Sequence, residues 1–379
     1  MELNEKEKEF YQRQILLNEF GEEQQLRLKN SKVLVIGAGG LGCPVLQYLN
    51  AAGVGVIGIC DGDAVSVSNL HRQILYSTND VGKMKTEAAK EKLCLQNPFN
   101  EIILFSEFLS AENAIDVICA FDLVMDCSDN FATRYLINDV CVELDKPFVS
   151  GSVFEWTGNV SVFNAVRWDT DRDERSGTYR CIFPEPPMPE DSPDCETNGV
   201  IGVLPGIIGS IMASEAIKIF SGVGEILSGK LLMYDLLKQN FTTLNFKRNE
   251  EEVQRIKNSP LWNEEQYQNF CNPKKYAATE VKEISAAELK KFLKEETDFQ
   301  LIDVREVEEH ELLNIGGENI PLDEVLANIA VIEKEKPVVF YCKVGQRSAI
   351  AIERLQDKFE FNNLYNLKGG VRSFFSDKS

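Results

Sequence analysis

The chain has 379 residues, of which 44% are hydrophobic, and it carries a formal net charge of −20 at pH 7. Sequence-independent nucleic-acid binding rests on Lys and Arg neutralising phosphates, so this acidic composition argues against that class of protein. No apolar run reaches the roughly 18 residues of a membrane span, and the charged N-terminus lacks the apolar block of a signal peptide, so we expect a cytoplasmic enzyme with no membrane partner.

The ten cysteines include no pair at C-x-x-C spacing. In a chain without a secretion signal, such a set indicates reduced thiols rather than a disulfide framework. A zinc site built from thiolates at the usual spacing is therefore not expected. The length favours two domains, with three as the alternative, because single domains usually contain about 100–200 residues.

The first 30 or so residues have the 3.6-residue spacing of helices, and a phosphate-binding turn is predicted after them. Residues 33 to 36 form a short apolar run typical of a buried parallel strand, and a helix pattern follows the turn. A second strand over residues 56 to 60 ends before Asp61. Glycines let the backbone approach a phosphate at the positive end of a helix, and an acid at the end of the second strand can bind a ribose. The G-x-G-x-x-G glycines are Gly37, Gly39 and Gly42.

The next segments alternate between strand and helix patterns as far as residue 150. Strands are predicted over residues 101–108, 123–125 and 147–150, and helices over 83–93, 111–120 and 132–143. This alternation predicts an α/β fold, with a Rossmann-like, mostly parallel sheet and helices on both faces. Further along we expect a strand over 160–166, an acidic loop over 169–198, an apolar helix over 202–220 and a closing hairpin over 231–246.

A second, smaller α/β unit is predicted near the C-terminus. Ser285 and Glu288 have the spacing of a capping box before a helix. Strands are expected over 300–304, 337–341 and 363–367, with a helix starting near Ser348. The expected domains are residues 1–247, a linker over 248–280 whose charged residues are weakly patterned, and residues 281–379.

Polar residues recur where the predicted strands of the first domain end. Asn69, Arg72 and Lys85 follow the second strand, and Asp129 follows the fourth. Taken singly, each charge is more often a solvated surface residue. Together, two cations beside a glycine turn suit a triphosphate, and Asp129 can hold the Mg²⁺ that a triphosphate brings. An NAD-dependent oxidoreductase shares the glycines and Asp61 but leaves the cations and Asp129 unexplained.

Four segments resemble the adenylyltransferases that activate ubiquitin-like sulfur carrier proteins, relatives of the ubiquitin-activating enzymes. The segments are DGDAVSVSNLHRQ, VGKMKTEAA, DCSDNFATR and GVLPGIIGSIMASEAIK, and the resemblance covers residues 5 to 247. The family includes the activating enzymes of molybdopterin synthase and of thiamine biosynthesis. The resemblance implies that Gly40 belongs to the phosphate loop and Asp61 to the ribose site. It further implies that the phosphates of ATP are bound by Asn69, Arg72 and Lys85.

The same resemblance implies the partners and the metals. Asp129 would bind Mg²⁺, and Arg13 would reach the ATP of the partner subunit in a homodimer. Family members commonly hold a structural zinc between two C-x-x-C pairs, but here the first pair has become Thr178-Tyr179-Arg180-Cys181 and the second is missing. No zinc is therefore predicted. Cys195 occupies a position where the family can use a cysteine in sulfur transfer. Its acidic neighbours would raise its thiol pKa, so an inert loop cysteine is an equal alternative.

In the second unit, Cys342 and Arg347 bound a loop between a buried strand and a helix. Successive backbone N–H groups, the helix N-terminus and Arg347 would together stabilise a thiolate. This segment, with LIDVREVEEHE and ENIP, resembles a rhodanese (sulfurtransferase) domain over residues 281 to 379. A degenerate, non-catalytic module is the alternative. The two histidines, His71 and His310, have no metal-like partner in the sequence, and surface or packing roles are expected for them.

Together the two resemblances predict a sulfur carrier protein adenylyltransferase. ATP-dependent adenylation would activate the Gly-Gly carboxylate of the carrier, and a rhodanese persulfide would then supply sulfur for a thiocarboxylate. The persulfide donor would be a protein such as a cysteine desulfurase. The pathway could be that of molybdopterin, thiamine or tRNA thiolation. A non-catalytic scaffold that binds a ubiquitin-like partner is a third alternative, beside the oxidoreductase.

Overall fold

A computed structural model of the chain describes residues 2–166, 174–186, 199–271, 281–295, 297–359 and 361–376. The described residues form two compact units. The first unit reaches residue 271, and the second begins at residue 281. Both units are α/β structures, which confirms the predicted fold class.

The first unit is built on an eight-stranded sheet of order β3-β2-β1-β4-β5-β6-β7-β8 among its described residues. The first five strands in this order are parallel, and the last three are joined by antiparallel pairing. The strands are β1 Lys32–Ile36, β2 Val56–Cys60, β3 Glu101–Phe105, β4 Leu123–Asp126, β5 Phe148–Phe154, β6 Thr157–Phe163, β7 Lys230–Asp235 and β8 Asn240–Asn245.

Helices cover both faces of this sheet. Alternate residues of the central strand β1 therefore pack into two different hydrophobic cores. Val33 and Val35 belong to one hydrophobic cluster, and Leu34 and Ile36 to another. The described helices are α1 Glu5–Phe10, α2 Gln12–Ile15, α3 Gly21–Asn30, α4 Gly42–Ala52, α5 Lys85–Gln96, α6 Ala114–Cys119, α7 Phe131–Glu143, α8 Tyr179–Ile182, α9 Val203–Ser221, α10 Glu250–Lys257 and α11 Glu264–Cys271.

Helix α9 is long and apolar enough, by length and hydropathy alone, to cross a membrane. This finding differs from the expectation that the chain contains no such segment. The helix packs against α4, β5 and β6. Leu204, Ile208 and Met212 are each at most 1% exposed and belong to the main core. Packing inside the first unit accounts for the apolar composition of α9.

Residues 248 to 271, which were expected to begin a linker, instead form α10 and α11 and pack on α7. Val253 and Ile256 lie on one side of α10 and are buried against α7. Such a pair is easily overlooked in a segment that otherwise carries dense charge. On α11, Tyr267 is 1% exposed and donates from its hydroxyl to Asp139 of α7. These contacts make the segment part of the first unit.

The second unit contains a five-stranded parallel sheet of order β11-β10-β12-β13-β9 among its described residues. The expected capping box is present: Ser285 Oγ accepts from the backbone of Glu288, and Glu288 accepts from the backbone of Ser285. The strands are β9 Lys282–Ile284, β10 Gln300–Asp303, β11 Glu318–Asn319, β12 Val338–Tyr341 and β13 Leu364–Leu367. The helices are α12 Ala286–Lys294, α13 Val307–Leu312, α14 Gln346–Lys358 and α15 Gly370–Ser376.

Candidate active site

The glycine turn between β1 and α4 is shaped by close backbone contacts. Gly37 has φ +90°, and a Cβ there would lie 2.6 Å from the carbonyl oxygen of Cys127. A Cβ on Gly42 would lie 2.0 Å from the carbonyl oxygen of Gly37. No side chain fits in either place, so these two glycines are needed for the turn itself.

The same turn presents unpaired amides. Within the part of the chain that the structure describes, the N–H groups of Gly39, Gly40 and Leu41 have no hydrogen-bond partner. They precede the 11-residue helix α4, whose N-terminus adds a partial positive charge. Amides arranged in this way bind phosphate groups, which is the role expected for this turn.

Asp61 follows β2 and is 6% exposed. Its Oδ2 accepts from the N–H of Ala38 at 2.7 Å, and its Oδ1 accepts from the N–H of Asp63 at 2.8 Å. Burial raises the pKa of Asp61, while the charge of Lys85 and the two N–H groups oppose that rise. The carboxylate therefore belongs to the structure of the turn and keeps lone pairs for a ribose hydroxyl.

The two cations expected at the phosphates lie on either side of this turn. Lys85 opens α5 and is 6% exposed, with its Nζ 2.7 Å from Asp63 Oδ2 and 3.7 Å from Asp61 Oδ2. Arg72 lies next to Gly40, as a Cβ built on that glycine would be 3.7 Å from Arg72 Cγ. Asn69 ends the short 3₁₀ turn Val67–Asn69, and its backbone carbonyl accepts from the N–H of Arg72.

Asp129 lies in the loop from β4 to α7. The order β2-β1-β4 places the carboxyl ends of these parallel strands side by side, so this loop adjoins the glycine turn and Asp61. Asn130 caps α7 by accepting from the N–H of Thr133 at 2.9 Å. The carboxylate of Asp129 is exposed. One exposed carboxylate next to a phosphate cradle fits Mg²⁺, which is commonly held by one or two carboxylates together with substrate phosphates.

The structure does not bring Arg13 to the phosphate turn of its own chain. Arg13 lies on α2, where its neighbour Gln14 donates to the carbonyl of Ala52 at 2.8 Å. Ala52 is the last residue of α4, whereas the phosphate turn lies at the first. At 1.5 Å per residue the two ends of this helix are about 15 Å apart.

A buried ion pair that the sequence motifs do not reveal lies next to the Asp129 loop. Asp126 is not exposed at all, and its Oδ2 lies 3.3 Å from Arg134 Nε. It also accepts from the hydroxyls of Ser128 and Ser150, the latter at 2.6 Å. A charged residue ending an otherwise apolar strand, with an arginine in the following helix, was the available signal.

The residues at the family's zinc position do not fit a metal. Cys181 Sγ accepts from the N–H of Thr178 at 3.3 Å and from the N–H of Asn249 at 3.2 Å. Arg248 takes the neighbouring space and donates to Asn164 Oδ1 at 3.1 Å. Among the residues that the structure describes, no group of three or more His, Cys, Asp or Glu side chains could hold a metal ion.

The cysteines fall into different environments. Cys43 and Cys60 are buried around the glycine turn, and burial raises the pKa of each thiol to about 12. Cys127 and Cys141 are likewise buried. Cys119, by contrast, is exposed at the end of α6. Cys195 lies outside the described residues.

The second unit places Cys342 directly after β12. Its side chain is fully buried, and its Sγ accepts from the N–H of Gly345 at 3.1 Å. The Ser348 hydroxyl oxygen lies 3.5 Å from the same sulfur, and the hydroxyl donates to Asn366 Oδ1 at 2.7 Å. Gly345, at φ +98°, turns the chain into the 13-residue helix α14. The N–H of Gly345 and the N-terminus of this helix therefore face the sulfur of Cys342.

Arg347 makes a two-point contact with Glu309 of α13. Its Nη1 lies 2.6 Å from Glu309 Oε2, and its Nη2 lies 2.9 Å from Oε1. The hydrogen bond from Arg347 holds the pKa of Glu309 below its usual value, against the effect of burial. The arginine that was expected to stabilise the thiolate thus forms an ion pair that ties α13 to the Cys342 loop.

His310 is not a simple surface residue. Its Nδ1 lies 2.9 Å from Oδ2 of Asp303, which is fully buried at the end of β10. Arg305 donates to the same carboxylate through Nε and Nη2. Asp303, Arg305 and His310 all lie in the segment LIDVREVEEHE, but their contact depends on the turn between β10 and α13. The cluster anchors the helix that carries Glu309.

Comparison with known proteins adds to these observations. The model of the ThiF family matches residues 11–255, and the model of the rhodanese-like domain matches residues 285–377. The chain is 38% identical over 365 residues to the probable adenylyltransferase/sulfurtransferase MoeZ of Mycobacterium tuberculosis, covering 95% of this chain and 91% of the relative. It is 37% identical to the adenylyltransferase and sulfurtransferase MOCS3 of Drosophila yakuba, covering 96% and 82%.

A third relative matches the first unit alone. The sulfur carrier protein adenylyltransferase of Thermus thermophilus is 48% identical over 239 residues, covering 63% of this chain and 87% of the relative. Among solved structures, Escherichia coli MccB has a TM-score of 0.52 at 21% identity, covering 60% of this chain and 67% of that structure, and supports the fold alone. With two matched families in the same order as the two units of the structure, the chain belongs to the ThiF family and carries a C-terminal rhodanese-like domain.

Proposed function

We propose that the chain adenylates the C-terminal carboxylate of a ubiquitin-like sulfur carrier protein and converts it into a thiocarboxylate with sulfur from Cys342. The observation that carries this proposal is the pairing of two sites in one chain. One is a phosphate cradle flanked by Arg72, Lys85 and Asp129, and the other is a buried cysteine whose sulfur accepts from the N–H of Gly345 before a helix N-terminus. An oxidoreductase has no use for the second site.

The first site would serve the adenylation step. The carboxylate of the carrier attacks the α-phosphorus of ATP, and the bond to the bridging oxygen breaks so that pyrophosphate leaves with the electron pair. Both reactants are anions, and the charges of Lys85 and Arg72 reduce their repulsion. The free amides of Gly39 and Gly40 hold phosphate oxygens in place. Bound at Asp129, Mg²⁺ would add Lewis-acid stabilisation of the charge on the leaving group.

The second site would supply the sulfur. The terminal sulfur of a Cys342 persulfide attacks the acyl carbon, and AMP leaves, giving an acyl disulfide. A second thiolate then attacks the Cys342 sulfur, and the thiocarboxylate leaves with the electron pair of the cleaved S–S bond. Cys342 is left in a disulfide with that thiol, and a dithiol reductant must reduce it before the next turnover. Cys195 is the candidate for the second thiol, on the resemblance alone.

We propose a homodimer in which Arg13 serves the ATP of the partner subunit. The position of Arg13 at the far end of α4, about 15 Å from its own phosphate turn, supports a role in trans. Exposed apolar side chains near the active site support an interface. They are Val67 at 70%, Ile74 at 59%, Ile201 at 41% and Val203 at 56% exposure. Gly202 contacts His71, which brings these residues into one patch.

The remaining partners follow from the chemistry. A protein that delivers a persulfide, such as a cysteine desulfurase, would charge Cys342. The carrier would end in Gly-Gly, and the product would serve molybdopterin synthesis, thiamine synthesis or tRNA thiolation. We place the enzyme in the cytoplasm, where reducing conditions would keep its thiols free. The nine cysteines that the structure describes are unpaired, in keeping with this proposal.

Pyrophosphate exchange tests the adenylation step. Labelled pyrophosphate should enter ATP only when a Gly-Gly-ended carrier is present, and Asp129→Ala should abolish the exchange. Asp116→Ala, on the separate helix α6, is the control that should exchange normally. If exchange occurs without any carrier, or survives in Asp129→Ala, the proposed site is wrong. Mass spectrometry of the carrier after incubation with ATP, Mg²⁺ and a persulfide source should show sulfur in place of one oxygen.

A further inference from the structure

The loop that carries Asp129 is fixed from below by a buried carboxylate. Asp126 ends β4 with no exposed surface, and its Oδ1 accepts from the N–H of Ser128 at 3.1 Å and from the Ser128 hydroxyl at 2.5 Å. Its Oδ2 accepts from the Ser150 hydroxyl on β5 at 2.6 Å. The residue immediately before Asp129 is therefore tied to the end of its own strand and, through Asp126, to the next strand.

Arg134 completes this arrangement from the first turn of α7. Its side chain is 9% exposed, and its Nε lies 3.3 Å from Asp126 Oδ2. Its Nη2 donates to the carbonyl of Ser128 at 3.0 Å and to the carbonyl of Gly151 at 3.1 Å. Ser128 is thus held at its N–H by the aspartate and at its carbonyl by the arginine. Hydrogen bonds therefore fix both peptide groups that flank Ser128, so the backbone that leads into Asp129 is held in place.

The phosphate turn rests on the same loop. The carbonyl oxygen of Cys127 is so near Gly37 that a Cβ on the glycine would lie 2.6 Å away. A shift of the Asp129 loop would therefore change the distance between the metal-binding carboxylate and the phosphate cradle. Groups that hold a metal ligand in place from outside affect metal affinity about 10–100-fold when they are removed.

We propose that Arg134 and Asp126 are positioning residues that set the carboxylate of Asp129 for the Mg²⁺ of the nucleotide. The proposal rests on the proposed function, because it assigns a role in Mg–ATP binding to residues that do not touch the nucleotide. Both residues lie in the segment DCSDNFATR, at its first and last positions, but the motif assigns a role only to Asp129. The ion pair of Asp126 and Arg134 lies next to the loop of Asp129. Arg134 donates to the carbonyls of Ser128 and Gly151, and these two hydrogen bonds link that loop to β5.

Arg180 provides a matched control in the same unit. It is 1% exposed and donates to Asp139 of α7 through Nε at 2.7 Å and Nη2 at 2.8 Å. Like Arg134 it is a buried arginine paired with a buried aspartate, and both pairs involve helix α7. The Arg180 pair, however, joins α7 to α8, and within the described part of the chain its contacts are with Asp139 and aromatic rings rather than with the loop of Asp129. Arg134→Lys and Arg180→Lys should therefore destabilise the fold in the same way and differ at the site.

The experiment is calorimetric titration of the full chain with ATP, once in EDTA and once in Mg²⁺. In EDTA, wild type, Arg134→Lys and Arg180→Lys should bind ATP equally, since the phosphate turn is unchanged. In Mg²⁺, the metal-dependent gain in ATP affinity should be about tenfold smaller in Arg134→Lys than in the wild type. The Mg²⁺ concentration needed for half-maximal pyrophosphate exchange should rise to match. Arg180→Lys should retain the wild-type gain.

Ser150→Ala keeps the proposal testable if Arg134→Lys does not fold, because it removes one hydrogen bond from Asp126 and should weaken the Mg²⁺ effect in the same direction. Guanidinium added to Arg134→Ala should restore part of the loss and should do nothing for Arg180→Ala. Equal Mg²⁺ gains in Arg134→Lys and wild type would overturn the proposal. Absence of carrier-dependent exchange in the wild type, with ATP binding intact, would instead overturn the proposed function and leave the binding result to judge the positioning role.

Discussion

Substitution of Cys342 in the second unit allows sulfur transfer to be tested separately from adenylation. Cys342 is buried, and its sulfur accepts a hydrogen bond from the N–H of Gly345 in the same unit. Cys342→Ala should therefore abolish sulfur transfer from thiosulfate to cyanide and leave carrier-dependent pyrophosphate exchange near the wild-type rate. Cys119→Ala, an exposed thiol on α6, is the control that should change neither activity. Residual transfer in Cys342→Ala would show that another thiol carries the persulfide.

The ion pair beside Cys342 makes a prediction about acid stability. The pKa of Glu309 is lowered chiefly by its hydrogen bond to Arg347, so the stability that it contributes is present above its unfolded pKa, near 4.3, and is lost as the pH falls through the folded value. The Glu309 side chain is 35% exposed, which limits the contribution to about 1 kcal/mol. Glu309→Gln should lower the melting temperature of the second unit at pH 7 and flatten its decline below pH 5.

Scanning calorimetry of the full chain across pH 3 to 7 would measure this effect, within the acid range in which carboxylates titrate. Glu311→Gln is the control, because Glu311 lies on the same helix and is exposed. It should leave the pH dependence of melting unchanged. If Glu309→Gln melts with the same steep decline below pH 5 as the wild type, another carboxylate is responsible for the acid sensitivity.

At the scale of the element, the glycine turn depends on two backbone contacts that no side chain can share. Gly37→Ala places a Cβ 2.6 Å from the Cys127 carbonyl oxygen at a φ of +90°, so it should cost several kcal/mol, on the order of other strained core changes, and remove ATP binding. Gly206→Ala is the matched control. A Cβ there meets no atom within 4 Å, and the position is helical, so it should stabilise by about 0.5–1 kcal/mol. Urea unfolding with and without ATP would measure both effects.

The elements that the sequence could predict are those with local signals. The glycine turn, the parallel strands and the Ser285–Glu288 capping box each depend on residues within a few positions of one another. Helices α10 and α11 were missed because their signal is tertiary: Val253 and Tyr267 matter through their contacts with α7. The Asp126–Arg134 pair under Asp129 was missed for the same reason, since its purpose shows only when β5 lies alongside β4.

At the scale of the whole molecule, the site is expected to need two copies of the chain. In the proposed homodimer each chain would supply Asp129, the glycine turn and Lys85 to its own site, whereas its Arg13 lies about 15 Å away along α4. Arg13→Ala and Asp129→Ala homodimers should therefore each be inactive in carrier-dependent exchange. Arg13→Ala removes the residue that comes from the partner subunit, and Asp129→Ala removes a residue that the chain supplies to its own site.

Mixing the two inactive variants under conditions that exchange subunits should restore activity. In a heterodimer, the chain with Arg13→Ala keeps its own Asp129 and receives Arg13 from its partner, so one of its two sites is complete. Random mixing makes half of the dimers mixed, and about a quarter of the wild-type site density should return. Mixing Asp129→Ala with Lys85→Met is the control that should restore nothing, because both residues belong to one chain's half of the site. Recovery in that control, or none in the first mixture, would contradict an arginine acting in trans.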